Sequence, residues 1–200
     1  CLHRAAFQAE RQEEFNDRMG AAVEAYGKAR DLYASLPDHR GAAWMLRCEA
    51  VSKLFSHWIT PNASGKLRLL DECMELEEKA LTAFWNLGNK LEYGRTYNQL
   101  WDIFWHRHCR GEDIQVRRTT LAEGIEWGQK AIEAVPGIGE QHEKATTYLA
   151  LADCLLMQRS TVIEGQEEQV KNRLKAIRCL REGLEISERV GDDALTGWLH

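Results

Sequence analysis

His106, His108 and Cys109, in the stretch HRHC, carry the donors that a zinc ion selects. Imidazole nitrogens and a thiolate would either activate a water for hydrolysis or hold a structural ion. The spacing argues against both. Residues two apart on a helix point about 200° apart, so the two histidines cannot share an ion while the helix continues. No second His/Cys pair stands close by to complete a four-ligand shell. Helix-end histidines favoured by the dipole are the expected reading, with no metal and no cofactor. A metal-dependent enzyme built on these three residues is the most distant of the functional readings.

NASGK at 62–66 invites comparison with a phosphate-binding loop, which needs glycine at position 60 and Ser or Thr after the lysine. The chain has Thr60 and Leu67 there, so the stretch reads as a linker with Gly65 at a turn. Asn62-Ala63-Ser64 is also a glycosylation sequon, with meaning only in a secreted protein. No HExxH, GxSxG, GxGxxG or cysteine-nucleophile signature occurs. The acidic pairs Glu13-Glu14, Glu77-Glu78 and Glu167-Glu168 are expected to face solvent as ordinary helix charges. The chain is therefore expected not to be an enzyme.

The elements that carry these residues are set by composition. Of 200 residues, 44% are hydrophobic and 28% charged, and only three are proline. With Ala, Leu, Glu, Lys and Arg abundant, the expected class is all-α. A net charge of −5 argues against nucleic acid as the main partner, since a phosphate-binding surface needs clustered cations. No apolar run approaches the ~18 residues of a membrane span. The six cysteines form no CxxC pair and lie mostly among apolar helical residues, so buried thiols in a reducing, cytoplasmic setting are expected. The chain begins at Cys1 and stops inside LTGWLH, and is expected to be a piece of a longer protein.

Repetition organises the rest. KARDLY, KALTAF and KAIEAV start at Lys28, Lys79 and Lys130, each 51 residues after the last. Small residues keep the same register: Ala22 with Ala29, Cys73 with Ala80, Gly124 with Ala131 and, after a one-residue slip, Ala176 with Gly183. A second helix repeats as well. Ala43, Gly94 and Ala145 are followed three residues on by Leu46, Tyr97 and Tyr148, and seven on by Ala50, Trp101 and Ala152. Small residues seven apart share a helix face and let a neighbouring backbone come close. Each unit is thus two helices. The segments predicted are 1–11, 14–36, 40–58, 66–87, 91–108, 114–135, 140–160, 167–190 and 193–200, separated by Gly, Pro and Asp-rich punctuation. Short connections between such helices make antiparallel hairpins that stack into a single solenoid over residues 1–200.

The pattern resembles the tetratricopeptide repeat family. Its first-helix signature is matched by Tyr148, Leu151, Ala152 and Leu155, and less closely by Tyr97, Leu100, Trp101 and Phe104. Its second-helix signature is matched by Ala22, Tyr26 and Ala29, while the copies with Glu77 and Gly128 keep only the small residues. The period of 51 departs from the family's usual 34, with extra residues expected in the connection and the second helix. The resemblance implies a right-handed α-solenoid whose first helices line a concave groove. Carried onto this chain, the groove positions include Trp44 and Arg47 in one copy, Arg95, Asn98, Asp102, Trp105 and His106 in the next, then Thr146, Leu149, Asp153 and Met157. Trp44, Arg47, Arg95, Asn98, Asp102 and Trp105 are the candidate partner-binding residues, with Arg47, Arg95 and Asn98 suited to a carboxylate or acidic peptide. Core packing between units is the competing role for Trp44 and Trp105. The expected function is a protein–protein interaction module that binds a peptide or protein surface. The alternative is a helical sensor arm of a larger signalling ATPase or transcription regulator, as the long turns LPDHRG and VGDD resemble.

Overall fold

The computed structural model describes residues 5–108, 114–134, 140–161 and 166–199, and the structure is all-helical, with no strand among the described residues. The helices are α1 (Gln12–Ala34), α2 (His39–Ile59), α3 (Ala63–Asn86), α4 (Lys90–His108), α5 (Ile114–Ala134), α6 (Gln141–Thr161), α7 (Gln166–Val190) and α8 (Asp193–Leu199). Each lies within three residues of its predicted segment. The exception is the helix expected at 1–11. Residues 1–4 of it lie outside the described residues; of the rest, Ala5 and Ala6 are helical and the chain turns at Phe7 and Gln8 through short-range bonds from the Gln8 and Ala9 amides to the Ala5 and Ala6 carbonyls.

The breaks have identifiable causes. Asp38 accepts from the Gly41 amide at 2.7 Å and starts α2. Asn62 does the same for Gly65 at 2.6 Å and starts α3, and Asp192 accepts from Leu195 at 2.9 Å to start α8. These are N-cap bonds that satisfy amides with no intrahelical partner. Gly88 and Gly191, at φ 67° and 70°, take the left-handed conformation that closes α3 and α7. The NASGK stretch is thus a helix start, and Gly65 lies inside the first turn of α3 rather than in a linker. The long repeat period lengthens the second helix as expected, but not the connection. Only residues 60–62 connect α2 and α3, whereas those helices run to 21 and 24 residues, so the extra length is helix.

The chain forms two compact units, residues 1–88 and 89–200. In the first, α1 packs on α2 and α2 on α3. Its core holds Met19, Ala22, Ala43, Ala50, Leu54, Leu70, Cys73, Ala80 and Phe84. In the second, α4 to α8 pack in sequence, and α6 also touches both α4 and α8. First helices stacking on first helices is what a repeat of hairpins requires. Tyr97, Leu100, Ile103, Leu121, Ala145, Leu151, Ala152, Cys154 and Ala176 form that core.

The repeated small residues sit where helices approach. Ala80, Ala131, Ala43, Ala145, Ala152 and Ala176 have no exposed surface. Ala29, expected to be equally buried, is only half-buried. At Gly124 a Cβ would sit 3.0 Å from the Phe104 ring, and at Gly128 it would sit 2.4 Å from the Tyr97 hydroxyl. The aromatic of the first helix fills the space that the family pattern gives to an aromatic of the second.

Candidate functional site

Trp44 and Arg47 lie on α2 in the first unit. The Trp44 ring stacks on Tyr33 with centroids 5.6 Å apart and meets Phe84 edge-on at 5.3 Å. It ties α1, α2 and α3 together. The Arg47 guanidinium lies 5.8 Å from the Trp44 ring centroid, a cation–π distance, and its charge also reaches Glu77.

Glu77 corrects an expectation. It has no exposed surface, and neither carboxyl oxygen has a hydrogen-bond partner among the described residues. Burial pushes its pKa up to about 8, and the nearby Arg47 charge only partly opposes this. It is therefore a neutral acid inside α3 at neutral pH, not a solvated helix charge. It occupies the position where the family pattern places an aromatic, and its methylenes fill that space.

The other four candidates lie on α4 in the second unit, where α4 and α6 stack. Arg95 donates to Glu92 at 2.8 Å on its own helix and to Glu143 on α6 at 3.2 Å. Asn98 donates to the Glu143 carbonyl at 3.2 Å and accepts from Thr147 at 2.9 Å. Arg95 and Asn98 do bind a carboxylate, but it belongs to this chain. Glu143 was not singled out in the sequence. A stacked repeat places residue i of one first helix against a residue near i+51 of the next, so Glu143, one turn earlier, was within reach of that arithmetic.

Beyond this seam the face changes character. Asp102 and Asp153 are 51 residues apart and occupy equivalent positions on α4 and α6. Burial pushes both carboxyls up to about 6. Asp102 nevertheless exposes more than a third of its surface. Neither aspartate has a hydrogen bond or ion pair among the described residues. One turn further along, Trp105 is 48% exposed and Leu156, again its equivalent on α6, is 41% exposed. Trp105 contacts Trp101, with ring centroids 6.1 Å apart.

His106 and His108 both fall within α4. Cys109 lies outside the described residues. Among the described residues, no group of three or more His, Cys, Asp or Glu converges as a metal site would. Among the described residues, no helix is long and apolar enough to cross a membrane.

No family model matches the chain, and no curated protein matches it. Among solved structures, one described as "Computational Design of Self-Assembling Cyclic Protein Homooligomers" aligns with 99% of this chain and 86% of its own. The identity is 11% and the TM-score 0.40, a likeness that carries no argument about function.

Proposed function

We propose that the chain is a protein-interaction module of the tetratricopeptide-like kind, and that the α4–α6 face of its second unit is the binding surface. The observation that carries this reading is the repeated pair of unpaired, recessed carboxyls at Asp102 and Asp153 beside the exposed Trp105 and Leu156. Both carboxyls are partly desolvated without a charge partner, and a cation from outside offsets that cost while an aromatic and a leucine cover an apolar side chain. The favoured partner is an extended segment with Lys or Arg next to an apolar residue. This inverts the polarity expected from Arg47, Arg95 and Asn98, since Arg95 and Asn98 are occupied by Glu143. Trp44 and Arg47 stay in the proposal as supports of the first unit's packing rather than as contacts.

Display selection of random peptides against the intact chain tests this. Enriched sequences should carry a basic residue beside an apolar one, and their binding should fall by about tenfold or more in Asp102→Asn/Asp153→Asn and in Trp105→Ala. Acidic sequences, or binding unchanged in both folded variants, would move the site elsewhere.

A further inference from the structure

Helix α7 turns one face to its neighbours, where Asn172, Ala176, Gly183 and Ser187 are buried. On the opposite face Val170, Leu174 and Ile177 are 53%, 53% and 45% exposed. Their spacing, four then three, confines them to a stripe about 60° wide. A strip that narrow is the seam of a coiled coil rather than the broad face of a helix covered by its own domain.

The charges along the stripe are one-sided. From Gln169 to Arg181 the helix carries Lys171, Arg173, Lys175, Arg178 and Arg181 and no acidic residue, in a chain of net charge −5. Some cations on other helices are neutralised by an acid one turn away, as Lys28 is by Glu24 and Lys130 by Glu126. Arg173, Lys175, Arg178 and Arg181 are exposed and make no ion pair among the described residues. If Val170, Leu174 and Ile177 take the heptad positions d, a and d, then Arg173 stands at g and Arg178 at e, one on each margin. Those are the positions that set partner choice in paired helices.

We infer that the outer face of α7 docks an amphipathic helix of another protein, with aliphatic residues at a and d and carboxylates at e and g. A second copy of α7 does not fit, because its basic margins would repel. A membrane surface fits less well, because the stripe is narrow and lacks the aromatic residues that settle at a lipid interface. This interface is separate from the α4–α6 face, and each can fail without the other.

The probes are two synthetic helical peptides of about three heptads, both with Leu at a and d, one with Glu and one with Lys at e and g. Fluorescence anisotropy with the intact chain should show binding of the Glu peptide, weakening as salt rises, and none of the Lys peptide. Leu174→Ser should weaken it by about tenfold or more, and Arg173→Glu/Arg178→Glu should reverse the preference between peptides. Circular dichroism melts matched to the parent chain would certify both surface variants. Asp102→Asn/Asp153→Asn should leave the Glu peptide bound. Equal affinity for the two peptides, absence of Glu-peptide binding, or binding that survives Leu174→Ser would overturn the inference. Retention on phosphatidylserine vesicles with no peptide binding would replace it with a lipid-surface role.

Discussion

A carboxyl sealed inside a helix bundle with no hydrogen-bond partner makes Glu77 the most sensitive single residue of the first unit. Its pKa of about 8 means that the folded chain keeps a proton which the unfolded chain releases near pH 4.5. The unfolded state then binds fewer protons, so stability falls as pH rises from about 4.5 to about 8 and levels off above that. The full effect is on the order of 4 kcal/mol. Asp102 and Asp153 act with the same sign, but their part is complete by about pH 6. Melting temperature should therefore drop between about pH 6.5 and 8.5 in the parent chain and much less in Glu77→Gln. Equal slopes in the two proteins would remove Glu77 as the cause. Gly128 tests packing in the second unit. Gly128→Ala drives a methyl into the Tyr97 hydroxyl and should cost about 1–3 kcal/mol in a denaturant titration. A ΔΔG near zero would show that Tyr97 can move aside. The sequence marked both positions as departures from the repeat pattern. It did not reveal that Glu77 is buried, because a glutamate in the run Glu77-Glu78-Lys79 reads as surface in a periodicity count. Only the burial of the whole α3 face reveals it.

Helices were the most legible level. Asp38, Asn62, Asp192, Gly88 and Gly191 are local signals whose effect does not depend on distant contacts, and the boundaries follow them. What holds one helix against another was less legible. Trp44 could be read as anchor or as core, and its contacts with Tyr33 and Phe84 are packing. Arg95, Asn98 and Glu143 form a seam between α4 and α6 whose members are 48 and 45 residues apart, so no local pattern announces it. Glu143→Ala should cost about 1–2 kcal/mol, since Arg95 loses one of its two carboxylate partners and keeps Glu92, while Asn98 keeps the backbone carbonyl of residue 143. Glu126→Ala, which breaks the exposed pair with Lys130, should cost about 0.5 kcal/mol or less. Thermal melts of the two variants compare these directly, and equal losses would reduce the seam to an ordinary surface contact.

Over the whole molecule, the repeat register runs from Ala22 to Ala131 at a spacing of 51 and reaches Gly183 after a one-residue slip, while the packing divides into residues 1–88 and 89–200. Register is a property of sequence spacing and division a property of contacts, so the first could be read in advance and the second could not. Each unit has its own buried core, and residues 1–88 produced alone should be helical and unfold in one cooperative transition. A gradual, non-cooperative melt would show that the unit needs the rest of the chain. The buried thiols add a means of timing such events. Cys48 and Cys73 lie in the first unit and Cys154 in the second, all with pKa values raised by burial, that of Cys154 to about 12. A protonated, enclosed thiol reacts only when its surroundings open. Once the half-buried Cys179 has reacted, Cys48 and Cys73 on one side and Cys154 on the other would consume a disulfide reagent on two separate clocks, one for each half of the chain, with no label or mutation introduced.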